Sequence, residues 1–194
     1  MKKQMGFYFD QTRCIGCCTC TVACKDWHDI PAGPSSWIRV KTMEKGKFPN
    51  VFTCFLAIPC YHCANPSCLK VCPTQAISKR ETDGIVVVDQ KRCLGKKCHL
   101  CLLACPYGAP QFRAENDARM EKCDLCSDRL DEGKKPICVG ACQTRALDVG
   151  PLEELQVTYK KNMDAEGFTY HPILRPSIIH RRKTEQHPRY AFSK

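Results

Sequence analysis

The chain has no long apolar run. Its longest, Val51 to Pro59 (VFTCFLAIP), is interrupted by Thr53 and is far too short to span a bilayer. No secretory signal is expected, because MKKQMGFYFDQTRC has two lysines but no apolar stretch behind them. The sequence also lacks a paired general acid and base, a Gly-rich nucleotide loop and an open metal position, so catalysis by this chain alone is not expected. Gly and Pro are spread along the 194 residues rather than gathered into a linker, and the length permits one large domain or two small ones.

Cysteine is what the chain has. There are 18 in 194 residues, about 9%, near the level at which a short secreted chain would suggest a disulfide scaffold. A chain made in the cytoplasm keeps its thiols reduced, and there dense cysteine points to metal before disulfides.

Sixteen of the cysteines fall into four groups. The first is Cys14, Cys17, Cys20 and Cys24; the second is Cys60, Cys63, Cys68 and Cys72, followed by Pro73. The third is Cys93, Cys98, Cys101 and Cys105, followed by Pro106; the fourth is Cys123, Cys126, Cys138 and Cys142. Cysteines about three apart let a loop curl around a cubane and offer three sulfurs to three irons. The last cysteine of such a run, on a short helix that points away, serves the other cluster in two-cluster ferredoxins. A proline just after it helps end that turn. Structural zinc also uses C-x2-C pairs, but it wants two pairs and a spacer, with no use for a third cysteine after x2 and a fourth after x3. The spacing therefore predicts four [4Fe–4S] clusters on these sixteen cysteines.

Two cysteines remain. Cys18 adjoins Cys17 and offers an alternative register, which fits less well; Cys54 lies in the strand-like apolar run and reads as a small buried hydrophobe. The formal net charge of +10 would ordinarily suggest nucleic acid or an acidic surface. A cluster core held by four thiolates carries about −2, so four would contribute roughly −8. The basic excess then balances buried negative charge, and no nucleic-acid partner is expected.

Between groups two and three, Ile85 to Val88 is a β-branched run preceded by the turn signal Thr82-Asp83-Gly84, which predicts a hairpin. Short helices are expected over Ser67–Val71 and Leu100–Ala104. GFYFD and ALDV are strand-like at the two ends of a second unit. The expected class is α+β, with two ferredoxin-like two-cluster modules, one inserted in the other. The first module takes residues 1–50 and 107–150 (groups one and four), and the inserted one takes 51–106. Residues 151–194 have no cysteine and no clear periodicity. They are expected to form an extended tail docking on another subunit, with a disordered tail as the alternative. Since clusters would supply much of the core, the apoprotein should be unstable or unfolded.

With these motifs in place, the sequence resembles the iron–sulfur subunit of the dimethyl sulfoxide reductase type, the four-cluster electron-transfer partner of molybdopterin oxidoreductases. The stretches GFYFDQTRCIGCCTCTVACKD, CLKVCPTQAI, DGIVVVD, CPYGAPQF and KCDLCSDRLDEGKKPICVGACQTRALDVGPLEEL carry the likeness, from about Gly6 to Leu155. The resemblance implies a relay between a membrane quinone subunit and a catalytic subunit with a molybdenum or tungsten bis-pterin centre. It implies crossed ligand sets. Cys14, Cys17 and Cys20 go with Cys142; Cys123, Cys126 and Cys138 go with Cys24. Cys60, Cys63 and Cys68 go with Cys105; Cys93, Cys98 and Cys101 go with Cys72. The first pair of clusters would face the catalytic subunit and the second the membrane.

Two departures from that pattern stand out. Group three has four residues between Cys93 and Cys98, where Lys96 and Lys97 are extra, and Gln143 stands where proline is usual. Nearby positive charge should make the group-three cluster easier to reduce. His62 and His99 lie inside cysteine loops, with packing or surface roles favoured over tuning of potential. A free polyferredoxin moving between diffusing partners is the alternative function. Membrane attachment through partners is implied, while cytoplasmic residence and export of the folded complex both stay open. The partner's substrate, the choice of metal and the direction of electron flow are not written in this chain.

Overall fold

The computed structural model of the chain describes residues 3–160 and 162–184. The fold is mixed α+β, with small sheets and short helices. In chain order the first elements are β1 (Met5–Asp10), α1 (Thr19–Trp27), β2 (Arg39–Lys47), β3 (Asn50–Ile58) and α2 (Ser67–Lys70). Then come β4 (Ile77–Lys79), β5 (Val86–Val88), α3 (Leu100–Ala104), α4 (Ser127–Asp131) and α5 (Ile137–Gly140). The last are β6 (Leu147–Pro151), α6 (Leu152–Tyr159) and β7 (Ile178–Arg181).

β1 is the centre of a three-stranded sheet. It pairs antiparallel with β6, Phe7 opposite Val149, and parallel with β7, Phe7 opposite Ile178. A strand covered on both faces needs side chains it can bury on both, and MGFYFD supplies them: every residue from Gly6 to Asp10 is buried. The β4–β5 hairpin pairs Ile77 with Val88 across the Thr82-Asp83-Gly84 turn. β2 and β3 form a nine-pair antiparallel hairpin, Arg39 opposite Ile58 and Lys47 opposite Asn50. The expected boundary between residues 50 and 51 falls inside this hairpin, at its Lys47–Asn50 turn end. Cys54 is fully buried in β3, opposite Met43.

The expectation of an extended tail from residue 151 is corrected. Residues 152–159 are helical. Pro151 precedes the first turn, Glu153 and Glu154 complement the helix dipole there, and Leu155 is buried. Tyr159 stacks on Tyr8 at 3.7 Å and donates to Asp148 at 2.9 Å. β7 then adds an edge to β1, with Ile178, Ile179 and His180 buried. Ser177 reaches the second cysteine loop, its N–H donating to Tyr61 O at 2.9 Å and its hydroxyl to His62 O at 3.0 Å. The tail thus closes on its own chain because it offers strand pairing and apolar side chains to a half-covered sheet. Residues 185–194 lie outside the described residues.

The main core contains Phe7, Phe9, Ile38, Leu56, Ile85 and Leu125, with Cys24, Cys60, Cys123 and Cys138 packed among them. No helix among the described residues is long and apolar enough to cross a membrane.

Candidate metal centres

Each cysteine loop is bent by residues in the left-handed region. These are Gly16 and Cys18 in the first loop, His62 in the second, Gly95 and His99 in the third, and Leu125 and Cys126 in the fourth. Such positions turn successive backbone N–H groups toward one concave side, a geometry that receives anions. Several amides point at sulfur. Gly95 and Met120 donate to Cys93 Sγ, both at 3.4 Å, and Leu125 donates to Cys123 Sγ at 3.4 Å. Gly16 has φ +71°, and a Cβ there would lie 2.3 Å from the Phe55 ring, so the first loop has room only for glycine.

The last cysteines of groups two and four sit in matching turns. Pro66-Ser67-Cys68 with Cys72-Pro73-Thr74-Gln75-Ala76-Ile77 parallels Pro136-Ile137-Cys138 with Cys142-Gln143-Thr144-Arg145-Ala146-Leu147. Both have a four-residue helix after the first proline (α2 and α5). Gln75 and Arg145 both have positive φ, and Ala76 and Ala146 each donate to the preceding cysteine sulfur at 3.2 Å. Gln143 in place of proline leaves this turn intact. The repeat is visible in the sequence once aligned, but only the group-two copy carries the proline that draws the eye.

None of the eighteen cysteines is in a disulfide. Burial pushes Cys63 up to about 12, and Cys60, Cys105 and Cys68 push the same way. Burial likewise pushes Cys101 up to about 11, with Cys93 and Cys98 adding to it. Those three line one cavity together with Cys72. Cys20 rises to about 11 by burial, beside Cys14 and Cys142; Cys14 is raised by burial, with Cys142, Cys17 and Cys18 contributing. Cys24 rises to about 12 by burial, with Cys126 next in effect, and burial holds Cys123 and Cys138 well up, Cys123 in the field of Cys138 and Cys138 in that of Cys126. Thiols of different groups thus lie near one another: Cys142 beside Cys14 and Cys20, Cys24 beside Cys126, Cys105 beside Cys63, and Cys72 around one cavity with Cys93, Cys98 and Cys101.

The gatherings are also neighbours in a row. Cys138 and Cys24 both feel Cys20, Cys123 feels Cys60, and Cys68 feels Cys101. Buried thiols such as those of Cys24, Cys63 and Cys138, which resist ionisation alone and stand among other thiols and amide donors, fit a polynuclear cation that charges several sulfurs at once.

The four-residue spacer of group three folds into a 3-10 turn, Gly95–Lys97. Cys98 N–H donates to Gly95 O at 3.1 Å, and Lys96 Nζ is held by Ala114 O at 2.6 Å. Cys98 therefore stays beside Cys93 and Cys101. Cys18 is exposed, its thiol donating to Gly16 O at 3.4 Å. His62 is not on the surface: it is fully buried and accepts the Val86 N–H at Nδ1, 3.0 Å away. His99 packs edge-to-face on Phe112.

Three residues near the sulfurs do not stand out in the sequence. His28 Nε2 lies 3.4 Å from Cys126 Sγ with its ring against Trp37, and Asp124 stands beside both. Lys122, next to Cys123, is buried. Only the three-dimensional return of α1 toward the fourth group brings His28 there.

Residues 51–152 match the 4Fe-4S dicluster domain family. The chain is 45% identical to the B subunit of the anaerobic dimethyl sulfoxide reductase of Escherichia coli, over 92% of its own length and 89% of that protein's. It is 40% identical to the thiosulfate reductase electron transfer subunit PhsB of Salmonella typhi, covering 81% of each. It is 35% identical to the formate dehydrogenase iron-sulfur subunit of Wolinella succinogenes, over 84% of this chain and 90% of that one. On this agreement of sulfur geometry and sequence, the chain belongs to the [4Fe–4S] electron-transfer subunits of molybdopterin oxidoreductases of the dimethyl sulfoxide reductase type.

Proposed function

We propose that this chain relays electrons through four [4Fe–4S] clusters, between a membrane quinone or quinol subunit and a molybdenum or tungsten bis-pterin catalytic subunit. The observation that supports the reading is the nearness of thiols from different groups: Cys142 to Cys20, Cys24 to Cys138, Cys105 to Cys63, and Cys72 to Cys101. Bound clusters supply one-electron carriers, and the protein's work is to hold them in order and set their potentials.

Under this reading Cys14, Cys17, Cys20 and Cys142 hold one end of the row, and Cys24, Cys123, Cys126 and Cys138 the next site. Cys60, Cys63, Cys68 and Cys105 hold the third, and Cys72, Cys93, Cys98 and Cys101 the other end. Groups one and four with β1 and β6 make the outer module, and groups two and three with the β4–β5 hairpin make the inserted one. The repeat of the Cys68–Ile77 turn at Cys138–Leu147 supports two modules of one design.

Exposed apolar side chains stand at both ends. Ile15 and Val22 flank the first group, and Leu94, Leu100 and Leu103 flank the third. Apolar surface around an electron entry or exit point suits docking, which brings donor and acceptor close and excludes water. The first end would meet the catalytic subunit and the second the membrane subunit, with the outer face of residues 151–184 also against a partner.

The test is elemental analysis and EPR of the complex purified without oxygen from its native host. About sixteen irons per chain, four reducible clusters and stoichiometric molybdenum or tungsten are expected. Sixteen irons with neither heavy metal would favour a free polyferredoxin, and zinc in place of iron would overturn the reading.

A further inference from the structure

Lys122 is a cation in the wrong surroundings for one. Only 3% of it is exposed. Its Nζ donates to two carbonyls, Val86 O and Cys123 O, the latter at 3.0 Å. Among the described residues it forms no ion pair with a carboxylate. Its nearest acidic neighbours in sequence are engaged elsewhere. Glu121 accepts from Ser35 at 2.7 Å and from Arg113, while Asp124 accepts from the Cys126 amide at 2.9 Å. A buried ammonium without a counter-charge is costly, and carbonyl dipoles offset only part of that cost.

The missing negative charge lies in the sulfurs around it. Lys122 directly precedes Cys123, whose thiol feels Cys60 of the neighbouring gathering. Val86 ties the arrangement together: its N–H goes to His62 Nδ1 and its carbonyl receives the Lys122 ammonium. Lys122 thus stands where the Cys24/Cys123/Cys126/Cys138 and Cys60/Cys63/Cys68/Cys105 gatherings meet, midway along the row.

We propose that Lys122 is a fixed positive charge that raises the reduction potentials of the two inner clusters together. The inference rests on the four-cluster reading above. In each transfer one electron leaves the donor site and enters its neighbour, and the acceptor gains one unit of negative charge. A cation near both inner sites stabilises the reduced form of each, whichever way the electron travels. The ammonium's own contacts, Val86 O and Cys123 O, lie on the inner sites' side, so the outer sites are expected to gain less. Lys122 is in this sense a positioning charge, since it holds no ligand and touches no substrate.

The experiment is an EPR-monitored redox titration of the intact complex carrying Lys122→Met, Lys122→Gln or Lys122→Arg. In the unaltered complex, sixteen irons and four clusters test the four-cluster reading by themselves. With those present, Lys122→Met and Lys122→Gln should lower two of the four midpoint potentials. The expected fall is at least tenfold in the reduced-to-oxidised ratio at a fixed potential, or about 59 mV for a one-electron couple. The other two potentials should move much less, and Lys122→Arg should restore most of the loss. Four unchanged potentials, or four equal shifts, would overturn the proposal. Gln keeps an uncharged N–H donor of similar bulk, so loss of iron in Lys122→Gln would also overturn it by making the role one of packing.

Discussion

Gln11 and Glu166 are hydrogen-bonded in both directions: Gln11 Nε2 donates to Glu166 O at 3.0 Å, and Glu166 N–H donates to Gln11 Oε1 at 2.9 Å. Gln11 is fully buried and also donates to Phe55 O at 3.1 Å. One side chain therefore fastens the segment after α6 to the end of β1 and to β3. Gln11→Leu leaves these buried peptide groups without partners, at about 1–3 kcal/mol each. The expected outcome is a lower unfolding midpoint for the metal-loaded protein and faster proteolysis across residues 162–176. Unchanged proteolysis there would show that strand pairing by β7 suffices to hold the segment.

Cys98→Ser tests the ligand assignment at its least regular point. One of four cluster signals should be lost or altered while the other three persist, and quinol-linked turnover should stop. Four intact signals with full turnover would remove Cys98 from the ligand set.

Gly16→Ala should damage the first site by geometry rather than by chemistry. A left-handed φ costs a non-glycine residue roughly 1–2 kcal/mol, and the new methyl group would collide with the Phe55 ring. Iron should fall by up to one cluster of four, with Cys14, Cys17 and Cys20 all still present. The Gly16→Ala, Phe55→Ala double variant should recover part of it, as read by iron per chain.

His180 makes the fold acid-sensitive. Burial against Phe9 and Phe168 pushes its pKa down to about 3, with Asp164 pulling weakly the other way. Neither ring nitrogen has a protein hydrogen-bond partner. The unfolded chain takes up this proton near pH 6.5 and the folded chain near 3, so stability falls as pH falls through that window. The slope is about 1.4 kcal/mol per pH unit, or about 2 kcal/mol lost at pH 5. His180→Phe should flatten that dependence in denaturant unfolding at pH 7 and pH 5. An unaltered slope would place the acid sensitivity elsewhere.

The parts of the molecule set by local chemistry were legible in the sequence. Thr82-Asp83-Gly84 before Ile85 announced the β4–β5 hairpin, and the helices over Ser67–Lys70 and Leu100–Ala104 followed from where each group's last cysteine must go. The parts set by distant pairing were not. β2 reads RVKTMEKGK, mostly polar, and is a strand because β3 lies beside it. β7 is four residues after a proline-rich stretch, and its partner is about 170 positions earlier. α6 is different: Leu152, Leu155 and Tyr159 share one helical face, a signal that was present and outweighed by the polar residues after it. His28 and Lys122 had no local mark at all, since what matters in each is the sulfur that folding brings near.

The pairing of β1 on both sides bears on how the protein is made. Its strand leaves the ribosome long before its two neighbours in the sheet, residues 147–151 and 178–181. Under the proposed ligand sets, the thiols of Cys60, Cys63, Cys68 and Cys105 are all available once residue 105 has emerged, whereas Cys14, Cys17 and Cys20 wait for Cys142. On those sets a nascent chain would mature from its middle outward, and the early N-terminal sulfurs would be the ones left longest unprotected against oxygen.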